Sequence, residues 1–114
     1  MNDKKRTDGI ASEKAEKLLE LVDYAQDSIV SRTLMGNKSG TVTMFAFTAG
    51  QALSKHSAPF DALVNVLDGE AKITIGEDDF VLKGGEILMM PADIPHLVEA
   101  LENSKILLVM IKGK

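Results

Sequence analysis

The chain has 114 residues, 45% of them hydrophobic and 26% charged, with a formal net charge of -4. That is single-domain size, enough to bury roughly two thirds of the surface of the unfolded chain, and the balance is that of a globular protein rather than a disordered one. With no cysteine, disulfides, thiolate metal ligands and a thiol nucleophile are excluded and a reducing cytosol is compatible, while the acidic balance argues against binding to a phosphate backbone.

The first residues, Met1 to Arg6, carry no apolar stretch of the secretory kind, and the Lys4, Lys5, Arg6 cluster reads as a solvated end. From Ser12 to about Asp27, Ala15, Leu18, Leu19, Val22 and Ala25 recur at three- and four-residue intervals. Ser12 followed by Glu13 and Glu16 supplies a capping hydroxyl and first-turn carboxylates, so the spacing predicts a helix with one buried face. After Ser28 short β segments alternate with turn residues. Gly36-Asn-Lys-Ser-Gly40 joins Ile29–Met35 to Thr41–Phe47, and Asp68-Gly69 and Gly76-Glu-Asp-Asp79 bracket a strand in which Ala71, Ile73 and Ile75 alternate with Lys72 and Thr74. Lys83-Gly84-Gly85 closes the next strand, and Ile106–Ile111 is apolar on both parities, as in a strand covered on both faces. That run is also the longest apolar one, far short of the ~20 residues needed to span a bilayer. A soluble, cytoplasmic protein is expected, with neither a membrane nor a nucleic acid as partner.

Two blocks carry the chemistry. The first contains Gly50, His56, Ala58, Asp61, Ala62 and Gly69; the second contains Gly85, Pro91, Asp93, His96 and Ala100. Between about Val42 and Lys112 they resemble the paired motifs of the cupin superfamily. The family pattern is Gly, five residues, His-x-His, three or four residues, Glu, six residues, Gly, and then Gly, five residues, Pro-x-Gly, two residues, His, three residues, Asn. Gly50, His56, Gly69, Gly85, Pro91 and His96 agree with it. Ala58 stands at the second His position, Ala62 at the Glu position and Ala100 at the Asn position. Asp93 stands at the Pro-x-Gly glycine, where Asp is one of the few residues that tolerate positive φ.

The resemblance implies an all-β fold, a cupin antiparallel β-barrel or jelly roll, here preceded by an N-terminal α-helix: a helical arm over 1–27 and a barrel over 28–114. Side chains two apart on a strand share a face, so His56 with Ala58, Ala62 with Val64 and Val66, and His96 with Val98 and Ala100 are expected to line the interior. Met89 or Met90, Phe45 or Phe47, Leu82 and Ile73 are their expected neighbours. The expected ligand-binding set is therefore His56, Ala58, Ala62, Val64, His96 and Val98, with His56, His96 and Asp61 as candidate catalytic groups.

Zinc, iron and manganese sites draw three or four protein ligands. His56 and His96 alone would hold a divalent ion such as Zn, Fe, Mn or Ni weakly, unless Asp61 reaches inward. Without a metal, two neighbouring imidazoles in an apolar cavity titrate low or together, and one can serve as a general base near neutral pH. The reading preferred from the sequence is a small cupin that binds a small molecule in the barrel. Its alternatives are a mononuclear metal-dependent oxygenase or isomerase, a metal-free isomerase, and an assembly protein with a vestigial cavity. A homodimer is also expected, because Leu63, Leu67, Leu107, Val109 and Ile111 form apolar surface on the parity opposite the interior; the rival is that the N-terminal segment covers them through Leu18, Leu19 and Val22.

Overall fold

A computed structural model describes residues 9–113. Among them turn residues separate nine strands: β1 (Ile29–Asn37), β2 (Gly40–Phe47), β3 (Ala52–His56), β4 (Phe60–Asp68), β5 (Glu70–Ile75), β6 (Asp78–Lys83), β7 (Glu86–Met90), β8 (His96–Ala100) and β9 (Ser104–Lys112). Antiparallel pairing gives a five-stranded sheet in the order β1-β2-β9-β4-β7 and a four-stranded sheet in the order β3-β8-β5-β6. Each inner face is apolar, and the two meet in one core: Ala62, Val64 and Val66 of β4, Met90 of β7 and Ile106 of β9 against Ala71 and Ile73 of β5 and Val98 and Ala100 of β8. The all-β cupin architecture expected from the motifs is the one observed.

The strands run so that one end of the barrel gathers the starts of β4 and β8 with the ends of β5, β7 and β9. Register fixes the layers there. Ala62 lies opposite Met90 on one side and Met110 on the other, and across the barrel Ile75 lies opposite His96. One layer deeper, Val64 pairs with Leu88 and Leu108, and Ile73 with Val98. Val64 and Ile73 are 0% exposed, while Leu88 and Leu108 beside them are half-buried.

The expected N-terminal helix is not formed. Between residue 9 and β1 the one helical element is a single 3-10 turn, Leu18–Glu20, and Glu13 and Asp27 sit at positive φ. Residues 11–20 are exposed throughout, so the periodic stripe of Ala15, Leu18 and Leu19 has no surface to bury, and a helix of that length is marginal without tertiary packing. The chain instead lies on the outside of the five-stranded sheet. Val22 packs with Leu34, Met44 and Ala46, flanked by Leu21, Tyr24, Leu67 and Leu107. The backbone carbonyls that a helix would have used internally accept from the sheet, Leu19 from the Lys105 ammonium and Leu21 from Arg32 Nη1 at 3.2 Å. Tyr24 donates to Asp68 at 2.9 Å under the Lys105 ammonium, and burial together with that carboxylate pushes its phenol far above the usual range.

Gly69, the motif glycine between β4 and β5, is fixed by space. Its φ is +87°, and a Cβ there would lie 2.1 Å from the Asn103 carbonyl oxygen and 2.6 Å from Ser104 Oγ. The fully buried Ser104 hydroxyl accepts from the Glu70 N–H at 3.1 Å, which ties the β4–β5 turn to the start of β9. Gly50 has a similar φ of +88° but open space around it. Gly69→Ala therefore carries both left-handed strain and a backbone clash, about 2–4 kcal/mol in all, whereas Gly50→Ala carries the strain alone, about 1–2 kcal/mol. Thermal denaturation of the two variants should show the larger fall in Tm for Gly69→Ala, roughly 10 °C or more; equal falls would contradict the close approach.

Candidate functional site

The two histidines meet at the open end of the barrel. His56 ends β3 and His96 begins β8; they are direct partners across the strand pair, with ring centroids 4.6 Å apart in an edge-to-face arrangement of 62°. This contact depends on an irregularity in β3. Leu53 lies opposite inward-facing Val98, and the next pair is His56 with His96, three residues of β3 against two of β8. A regular strand would have turned His56 away from the face that holds Leu53; the bulge returns it to the side of His96.

Each ring is held from its own chain. His56 Nδ1 lies 2.7 Å from the Ser54 carbonyl oxygen, and His96 Nδ1 lies 3.4 Å from that of Ile94. A carbonyl can only accept, so Nδ1 of neutral His56 carries the proton and Nε2 is left as an acceptor. Burial lowers the His96 pKa below its ordinary value, the neighbouring His56 lowers it further, and the Ile94 carbonyl partly opposes both. His96 is half-buried and His56 exposed.

The loop from Pro91 to Pro95 sets where His96 begins. Asp93 is at a φ of +67°, the conformation expected at the family's glycine position, and donates its N–H to the Ala58 carbonyl at 2.8 Å. Asp61 holds the same loop by accepting from the Ala92 N–H at 2.9 Å. On β4 Asp61 shares its parity with Leu63 and lies opposite Ile111, so its carboxylate is on the outer side of the sheet and is not brought to the imidazoles. Of the other expected residues, Ala58 is half-buried beyond the end of β3. Ala62 and Val98 face inward, each with no more than 5% exposure, and Val64 is sealed beneath them. Sequence parity left the methionines open: Met90 and Met110 flank Ala62, while Met89 points outward. Phe45 and Phe47 both face inward, their rings 5.7 Å apart.

Comparison with known families returns the cupin domain over residues 43–112. The chain belongs to the cupin family. Among solved structures it is similar to a conserved protein of unknown function from Streptococcus pyogenes, with 37% identity, a TM-score of 0.88 and 93% of each chain covered. It is also similar to a cupin 2 conserved barrel domain protein from Leptotrichia buccalis, with 43% identity, a TM-score of 0.80, and coverage of 82% of this chain and 46% of that one. A cupin superfamily protein from Desulfitobacterium hafniense shares the fold at 24% identity and a TM-score of 0.86, over 95% of this chain and 99% of that one. No curated protein matches.

In this cupin the residues at the mouth do not fit a three- or four-ligand metal centre. Among the described residues no group of three or more His, Cys, Asp or Glu side chains is placed to hold an ion. Two imidazoles converge there, Ala58 and Ala62 bring no donor, Ala100 lies at the far end of β8 opposite Ala71, and the Asp61 carboxylate is turned outward.

The depressed His96 pKa sets a direction for stability against pH. In the unfolded chain this ring titrates near its ordinary 6.5, so between the two values the unfolded state binds more protons. The stabilising contribution of neutral His96 is complete above the unfolded value and is lost as pH falls through the folded one. NMR titration of the ring protons should place His96 below 6.5, with His56→Ala moving it part of the way back up; a His96 value at or above the ordinary one would refute the burial argument.

Proposed function

We propose that this cupin binds a small molecule at the mouth of its barrel, with the His56 and His96 imidazoles as the polar contacts and Ala62, Met90 and Met110 as the apolar floor. The observation that carries this reading is the pair of rings 4.6 Å apart at the end of an apolar barrel interior. A neutral imidazole with its Nδ1 proton engaged offers an acceptor to a hydroxyl, a carboxylic acid or an amide N–H. The low His96 pKa keeps that ring unprotonated near neutral pH, ready to accept a hydrogen bond or, from a sufficiently acidic carbon or oxygen, a proton. Small, weakly acidic ligands are the class this chemistry selects.

A metal-dependent oxygenase or isomerase is not favoured, because two nitrogen ligands leave a divalent ion held mostly by water. Among the described residues no helix is long and apolar enough to cross a membrane; separately, the absence of cysteine and the acidic charge support a cytoplasmic protein that does not bind nucleic acid.

Untagged protein titrated with a panel of small carboxylic and hydroxy acids, followed through the histidine ring resonances, tests the reading. At least one class should bind and perturb both rings. His56→Ala and His96→Ala should each weaken that ligand about tenfold, the worth of one hydrogen bond of about 1–1.5 kcal/mol. Ligand affinity unchanged in both variants would overturn the assignment.

A further inference from the structure

The mouth of the barrel presents a ligand with two acceptors. His56 Nδ1 faces the Ser54 carbonyl at 2.7 Å, and His96 Nδ1 faces that of Ile94 at 3.4 Å. A carbonyl can only accept, so the proton of each neutral ring is drawn to Nδ1 and each Nε2 keeps its lone pair. The rings touch edge to face with centroids 4.6 Å apart, which brings both acceptors within reach of one small molecule.

The backbone around the rings has its donors engaged. In the loop before His96, Ala92 donates to the Asp61 carboxylate at 2.9 Å and Asp93 to the Ala58 carbonyl at 2.8 Å. The segments that meet this loop do the same: Gly76 donates to the Pro95 carbonyl and Gly113 to that of Pro59, each at 2.8 Å. Pro59, Pro91 and Pro95 have no N–H to offer. Ala58 and Ala62 add no polar side chain.

We infer that the ligand class of this mouth is the un-ionised 1,2-diol, one hydroxyl donating to each Nε2. The inference rests on the small-molecule reading above and narrows it. Two O–H groups on adjacent atoms form a compact neutral unit that serves two acceptors at once. A carboxylate brings only acceptors to the pair, and leaving them without donors costs its hydration. An ammonium group brings donors, but the burial that lowers the His96 pKa opposes any positive charge at the same place. Met90 and Met110 flank Ala62, and thioethers make favourable contacts with aromatic rings, so an aromatic 1,2-diol suits this floor better than an aliphatic one.

The test is titration of the full chain with 3,4-dihydroxybenzoate, 3-hydroxybenzoate and benzoate, followed through the histidine ring resonances. A pH of about 7.5 lies above the ordinary histidine range and below that of a phenol. The three probes share one carboxylate and differ in their number of O–H donors. The dihydroxy compound should shift both rings and bind at least about tenfold more tightly than the monohydroxy one, as one added hydrogen bond allows, with benzoate weakest. His96→Ala should bring the dihydroxy compound down to the monohydroxy level, and the unmutated series decides the matter should that variant not fold. Equal affinity for all three probes, with both rings shifted, would overturn the diol while leaving the mouth as a binding site. Benzoate bound as tightly as the diol, and lost in Lys55→Ala, would assign an anion site to the exposed Lys55 beside His56 and overturn it as well. If no probe shifts either ring this inference fails, whereas the reading beneath it fails only with the whole panel of acids.

Discussion

The inner faces of the two sheets are apolar, with Val64, Val66, Ala71 and Ile73 0% exposed, and this hydrocarbon middle dictates where chemistry can occur. A polar side chain placed at that depth would lose its water without gaining a partner, at a cost of about 1–3 kcal/mol. The imidazoles accordingly sit at the end of the barrel, where the Ser54 and Ile94 carbonyls and solvent are within reach. Alanine at 58 and 62 extends the same logic, leaving apolar walls around a two-histidine mouth.

Because the mouth is built from strand ends, its geometry is set by small backbone features. The bulge in β3 brings His56 to the His96 side. The positive φ of Asp93 and its hydrogen bond to Ala58, with the Asp61 contact to Ala92, fix the loop that delivers His96. Asp61 thus influences the site from the far side of the sheet, by positioning rather than by contact with a ligand. His56 adds to the effect of burial in lowering the tendency of His96 to protonate, since a charge on the neighbouring ring is felt at close range in a partly desolvated place.

Much of the fold was legible because its punctuation is local. Glycine at 69, Asp at 93 and the alternation of Ala71, Ile73 and Ile75 are consequences of turns and pleat that neighbouring residues determine. The N-terminal stripe misled for the opposite reason. Its spacing of three and four is compatible with a helix, but of that stripe Val22 alone found a hydrophobic surface to bury, and the carbonyls of Leu19 and Leu21 found side-chain donors on β9 and β1. The pairing of the histidines was anticipated from the motif spacing, yet its cause was invisible: a bulge leaves no mark in Ala52–His56 that parity counting can detect. Nor could parity alone say that Leu67 and Leu107 are covered by the chain itself while Leu63 and Ile111 are not, since all four share the outer side of one sheet.

The claim at the centre of this account is that neutral His56 presents a free Nε2 acceptor at the mouth, because its Nδ1 proton is engaged by Ser54. Long-range ¹H–¹⁵N correlation spectra of the imidazoles, recorded above the pH at which the rings titrate, read the tautomer directly. The predicted result is a protonated Nδ1 and an unprotonated Nε2 for His56, with a cross-ring nuclear Overhauser contact to His96. A protonated Nε2, or rings that show no mutual contact, would contradict it.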